Sequence, residues 1–423
     1  MVTADVARVA AREAEIKVMK REPLGALHGV PLSLKDALYT RGLRTTGGSR
    51  LFAELIPEGD NVAVGRLKAA GAVILGKTNL SEFGFKAITD NPMFGVTRNP
   101  WDTTRTPGGS SGGAAAAVAA GLGPIGIGTD GGGSVRIPAA FCGLVGLKPS
   151  YGRVPQAPGF PGWEHLSHTG PLTRTVRDAA VVMDVIAGSD DRDRASLPSE
   201  PGRYLEACDT GIRGLHVAWT PDLGYAAVED RVLEVCGNAA AEFESLGCHV
   251  EVVNPAWENP EELFATIVSA QFYAAWADSL PAREAEMDPG LVRFIRRGGA
   301  VSARDYLTAM TKATAYWQEV HTFLERFDLL LMPTAAVAPF PLEGGKVPRE
   351  IAGQAVSVLG WMPFTYPFNL TGQPAISVPA GWTEDGLPVG LQIVGRRHAD
   401  RTVLAAAAAF EAALPWRERR PPQ

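Results

Sequence analysis

Eleven glycines fall between Pro107 and Gly133, and they bracket a helix rather than form a linker. Ala114–Ala120 is strongly helix-forming, and Ile125–Gly128 after it is apolar enough to be buried. Ordering a glycine costs more backbone entropy than ordering any other residue, so these glycines read as turns where backbone must approach something closely. Two of these turns each present a serine. Ser110 lies in Pro-Gly-Gly-Ser-Ser-Gly-Gly (107–113), and Ser134, 24 residues later, lies in Gly-Thr-Asp-Gly-Gly-Gly-Ser-Val-Arg-Ile-Pro (128–138).

The rest of the chain alternates strands and helices. Residues 3–20 read as a helix. Val30–Lys35 reads as a strand with Leu32 and Leu34 on one face and Lys35 on the other. Asp60 is placed to cap a helix through Val64, Leu67 and Lys68, followed by a strand at Ala72–Leu75. Asn79 and Glu82 form a capping-box pattern, as do Thr175 and Asp178, the latter opening a helix with Val176, Ala180, Met183 and Ala187 inward. Residues 189–203 read as an exposed polar connection. Strands are expected at Leu215–Trp219, 248–253, Asp328–Met332, Ala375–Val378 and Val389–Val394, and helices at 229–246, over most of 260–326, and at 400–413. This alternation predicts an α/β fold with helices on both faces of one sheet.

Of 423 residues, 46% are hydrophobic and 20% charged, with a net charge of −6, so nothing in the chain favours a nucleic-acid partner. Cys142, Cys208, Cys236 and Cys248 have no Cys-x-x-Cys spacing and read as reduced thiols. No apolar run follows Met1 and none is long enough to cross a bilayer, so a soluble cytoplasmic protein without membrane attachment is expected. No His/Cys/Asp cluster has ligand spacing, and neither a metal nor another cofactor is expected.

Three motif matches fail on context. Gly71–Thr78 fits the phosphate-loop pattern, but its middle is itself the strand Ala72–Leu75, leaving no loop to cradle phosphates. Gly121–Gly126 fits the dinucleotide fingerprint, but it follows a helix and contains Pro124. Gly108–Gly112 fits the hydrolase elbow, but a polar loop, not a strand, leads into it. His28, His165 and His168 sit near glycines and prolines and read as loop or capping histidines, leaving no histidine as an obvious base.

What remains is Lys35, closing Gly-Val-Pro-Leu-Ser-Leu-Lys-Asp (29–36), with the two serines. An amide is a poor electrophile, so its cleavage needs both an activated hydroxyl and a stabilised oxyanion. Consecutive glycines before Ser134 let N–H groups converge without side-chain clash. A lysine can act as base only if burial lowers its pKa.

These segments, together with Cys-Gly-Leu-Val-Gly-Leu-Lys-Pro-Ser-Tyr-Gly-Arg (142–153), Leu-Gly-Lys-Thr-Asn (75–79), Phe-Asn-Leu-Thr-Gly-Gln-Pro-Ala-Ile-Ser-Val-Pro (368–379) and Gly-Leu-Pro-Val-Gly-Leu-Gln-Ile-Val-Gly (386–395), resemble the amidase signature family. The resemblance implies that family's fold, a central twisted mixed β-sheet covered by helices on both faces. It implies one domain over 1–423, with a signature core at 24–188, a variable helical region at 200–326 and a C-terminal part of the same sheet at 328–413. It makes Ser134 the acylated nucleophile, Ser110, in a cis peptide, the proton relay and Lys35 the base. Gly131, Gly132, Gly133 and Ser134 would supply the oxyanion hole, with Thr129, Asp130 and Arg136 bracing the loop. Gly84, Phe85 and Trp163 would line the substrate pocket, and Phe160, Trp361, Met362 and Phe364 are further apolar candidates. The implied activity is hydrolysis of a carboxamide or anilide with an apolar or aromatic small-molecule substrate. Carbamate, ester or urea hydrolysis and a glutaminase-type subunit of a tRNA-dependent amidotransferase are the alternatives. Segment 163–171 lacks the Ser-Leu-Asp-Gln associated with that subunit, which disfavours it. Lys35 also comes early for the family, which implies either a truncated or misassigned start or a smaller N-terminal region, and a homodimer is an open expectation.

Overall fold

A computed structural model of the chain describes residues 1–198, 204–342 and 344–422. Residues 199–203, the end of the connection expected at 189–203, lie outside the described residues. Ten strands form one mixed sheet: β1 (Pro31–Lys35), β2 (Val73–Thr78), β3 (Ile125–Asp130), β4 (Val145–Lys148), β5 (His168–Thr173), β6 (His216–Trp219), β7 (His249–Val252), β8 (Leu329–Pro333), β9 (Ala375–Trp382) and β10 (Pro388–Gly395). Their order across the sheet is β2-β1-β3-β5-β4-β9-β10-β8-β6-β7. The β2-β1-β3 end and the β8-β6-β7 end are parallel, and the middle is antiparallel. Helices cover both faces, so the central strands carry apolar runs rather than alternation, and every residue of β8 and β10 is buried. Gly390 receives Ala140 of helix Arg136–Cys142 and Gly395 receives Val403 of helix Asp400–Ala413. Five residues apart on one strand, these two glycines face opposite sides, so the two helices flank the sheet.

Most elements lie within a residue or two of their expected bounds, and the departures have identifiable causes. Asn61, not Asp60, caps helix Val62–Ala69 by accepting from the Ala63 N–H, while Asp60 pairs with Lys68. The strand expected at Ala72–Leu75 continues through Gly76-Lys77-Thr78, because Lys77 finds buried acceptors. Asn79 and Glu82 make no capping box: Ser81 precedes a single 3-10 turn, Glu82–Gly84, and the Glu82 carboxylate accepts from Ser49 and from the Asp288 N–H. Helix Val176–Ile186 stops one residue before Ala187. Strands β4 and β5 carry too many glycines and prolines to stand out in the sequence. His168, read as a loop histidine, is a buried residue of β5. Among the described residues no helix is long and apolar enough to cross a membrane.

Candidate active site

Strand β1 delivers Lys35 to the floor of a cavity of about 420 Å³. Leu32 and Leu34 go into the core, and Lys35, only 1% exposed, reaches the opposite side. Its Nζ lies 2.7 Å from Ser110 Oγ, 2.8 Å from Thr129 Oγ1 and 3.3 Å from the Thr129 carbonyl. Its polar partners are two hydroxyls and a carbonyl, with no carboxylate among them. Burial therefore pushes the Lys35 pKa down to about 7, against the opposing pull of Asp130.

Ser110 follows a cis Gly109–Ser110 bond, just ahead of helix Gly112–Ala119. The neighbouring Ser111 is otherwise occupied: its Oγ bonds the Thr129 carbonyl and N–H, and its N–H donates to the Ser134 carbonyl. Only Ser110 of the two aims its hydroxyl at Lys35. Thr129, expected to brace the loop, also bonds Lys35 directly.

Ser134 ends the loop between β3 and helix Arg136–Cys142 and lines the same cavity as Lys35 and Ser110. Asp130 organises this loop. Its carboxylate accepts from the Gly133 N–H at 2.7 Å and the Val135 N–H at 3.1 Å, and pairs with Arg136 at 2.9 and 3.0 Å. Burial alone would raise the Asp130 pKa, but the Arg136 charge and the bonds from Arg136 and Asn369 hold it well below the usual carboxylate range. One expectation is corrected here. The Gly133 N–H is consumed by Asp130, whereas those of Gly131, Gly132 and Ser134 have no acceptor among the described residues. Glycine is required on steric grounds: a Cβ on Gly131 would sit 2.3 Å from the Trp163 ring, and Gly133 has φ +126° with Thr365 Oγ1 2.4 Å from a Cβ position.

The cavity walls are Leu38, Phe83, Gly84, Phe160 and Trp163, with Glu164 near the rim. Gly84 and Trp163 stand where expected, and Phe83 replaces Phe85. Phe83 holds φ 49°, stacks on Trp276 with ring centres 4.0 Å apart, and accepts the Trp163 indole N–H through its carbonyl at 2.9 Å. Phe85 points instead toward Lys86. Trp361, Met362 and Phe364 are buried in the core, Trp361 against Phe141 and Phe340, and do not line the cavity. Sequence reasoning missed Asn369 and Gln392, which hold the Arg136 guanidinium at 2.6 and 2.8 Å. Both lie in the C-terminal family segments, where their motifs were visible but not their target.

The Amidase family model matches residues 1–404. The chain belongs to the amidase signature family. This amidase is 43% identical over 407 residues to an acylamidase of Rhodococcus erythropolis, covering 95% of the chain and 84% of the relative. It is 38% identical to a glutamyl-tRNA(Gln) amidotransferase subunit of Moorella thermoacetica, covering 99% and 90%. A bacterial aryl acylamidase structure of the same family superimposes with a TM-score of 0.92 at 35% identity, covering 98% of this chain and 88% of that one. The amidase is thus an enzyme that hydrolyses amide C–N bonds.

Proposed function

We propose that this amidase cleaves neutral amides with an aromatic or medium-length apolar acyl group, through an acyl-enzyme on Ser134. One observation carries the reading. A buried lysine held by hydroxyls, with its pKa near 7, shares a cavity with a serine whose loop offers free N–H groups. Neutral Lys35 takes the Ser110 proton while Ser110 takes that of Ser134. Ser134 Oγ bonds the carbonyl carbon, and the displaced electron pair on oxygen meets the N–H groups of Gly131, Gly132 and Ser134. Collapse breaks the C–N bond, and the departing nitrogen receives the proton held by the relay. Water then attacks the ester by the same relay, releasing the acid and restoring Ser134.

The aromatic walls support an apolar acyl group, as does the similarity to an acylamidase and an aryl acylamidase. The glutaminase reading has less support. Glutamine carries an α-carboxylate, and Lys35 is the only basic side chain among the described residues lining the cavity. The test is intact-protein mass spectrometry after exposure to phenylmethylsulfonyl fluoride and a panel of aryl amides and carbamates. An adduct on the wild type and none on Ser134→Ala is expected. Substantial turnover by Ser134→Ala would overturn the nucleophile assignment.

A further inference from the structure

Behind the oxyanion loop lies a buried polar pair that the reaction above does not use. Lys148 and His168, 0% and 2% exposed, sit on the adjacent strands β4 and β5. Lys148 Nζ lies 3.3 Å from His168 Nε2, 3.1 Å from the Pro149 carbonyl and 2.5 Å from the Gln373 carbonyl. Nζ donates toward these acceptors, and burial, with the nearby Arg136 charge, lowers the Lys148 pKa well below its ordinary value. On the other side of the ring, Nδ1 faces two carbonyls, Leu166 at 2.7 Å and Asp130 at 3.2 Å. A carbonyl can only accept, so Nδ1 carries the proton and Nε2 accepts from Lys148. Burial, the largest cause, lowers the His168 pKa well below its ordinary value, in keeping with a neutral ring protonated at Nδ1.

The Asp130 carbonyl belongs to the peptide whose N–H is that of Gly131. Asn369 Nδ2 also donates to this carbonyl, at 2.9 Å. Two donors on the carbonyl fix the plane of that peptide and polarise its N–H toward the cavity. Resting on the proposed Ser134 mechanism, we infer that His168, with its tautomer set by the Leu166 and Asp130 carbonyls, is a positioning residue that aims and strengthens the Gly131 N–H at the developing oxyanion.

The test compares His168→Leu, which removes the donor, with His168→Asn, whose amide nitrogen takes the place of Nδ1. Both are measured for kcat, KM, melting temperature and affinity for an aryl trifluoromethyl ketone, which forms an oxyanion on the nucleophile. His168→Leu is expected to lower kcat about tenfold, less than deletion of a whole oxyanion donor, with KM unchanged. Ketone affinity should fall by the same factor, and His168→Asn should recover most of both. A kcat within twofold of wild type in His168→Leu overturns the inference. So does a folded His168→Asn as impaired as His168→Leu, or a loss confined to KM. The ketone adduct on Ser134, read by mass in the wild type, tests the nucleophile separately, so failure of that reading is distinguishable from failure of this one.

Discussion

Lys35 ends β1 and Lys77 is the last residue but one of the adjacent β2, one register step away, and both are out of water. Their surroundings differ in one respect. Lys77 meets the Leu38 carbonyl and two threonine hydroxyls, but also Asp36 at 3.9 Å. Burial lowers its pKa to about 8, partly offset by Asp36, and it lines no part of the cavity. Lys35 has hydroxyl partners without a contacting carboxylate, and opens on the cavity. Because consecutive strand residues point to opposite faces, Lys35 and Asp36 part company, and Asp36 serves Lys77. Burial alone therefore does not distinguish a base from a strut. The difference lies in whether a carboxylate comes with the amine and whether substrate can reach it.

Lys35→Met should break the contrast most sharply. Loss of the proton acceptor is expected to lower kcat about 10⁴-fold, as when one member of a catalytic unit is removed. The fold should persist, since the partners of Lys35 among the described residues are neutral and no carboxylate in contact with it loses a counter-charge. Steady-state rates with circular dichroism check this, and near-normal turnover at neutral pH would reject Lys35 as base. Lys77→Met should act on stability instead. It leaves Asp36 buried beside Thr46 without its counter-charge, costing about 3–5 kcal/mol in denaturant unfolding, while kcat per folded molecule stays within a few-fold.

The next effect is pH dependence. Lys35 must be neutral to accept a proton, so kcat/KM should rise with pH through about 7, falling about tenfold per unit below it. Stability carries the same signature. The Lys35 pKa is about 7 when folded against an ordinary 10.5, so the unfolded chain binds more protons between those values. Stability should therefore rise with pH across that window, and Lys35→Met should remove its part of the rise. A rate profile flat from pH 5 to 9 would contradict the assignment. The smallest expected effect is that of Thr129→Val. It deletes an acceptor that favours the ammonium, so the acid limb should move to lower pH by a fraction of a unit, with a rate loss of roughly a few-fold.

What could be read without coordinates followed from local rules. The glycine turns, the period of two before Lys35 and the alanine helix mark the end of the sheet that gathers Lys35, Ser110 and Ser134. The failure of the phosphate-loop match at Lys77 is equally local, since a strand cannot also be a loop. What escaped depends on contacts across the chain. Asp130 reaches back to the Gly133 N–H because the loop folds over it, and that removes Gly133 from the oxyanion set. Phe83 rather than Phe85 faces the cavity because a left-handed backbone at Phe83 turns the segment around. No periodicity encodes such a turn. Strands β4 and β5 hid behind glycine and proline, and with them His168 and Lys148.

The Glu82 carboxylate joins the turn that carries Phe83 and Gly84 to the start of helix Pro289–Gly299 through the Asp288 N–H. Phe83 stacks on Trp276 from the same helical region. One wall of the cavity is thus suspended from the part of the chain where the family resemblance is vaguest, while Lys35, Ser110 and Ser134, the proposed base, relay and nucleophile, sit on strand β1 and in the turns before helices Gly112–Ala119 and Arg136–Cys142. Substitutions in the helices at 260–300 can therefore shift that wall without altering any residue that lines the cavity. The residues that line the cavity and the three that would do the chemistry thus share the stretch 35–167, and the helices at 260–300 act on it through contacts such as those of Glu82 and Phe83.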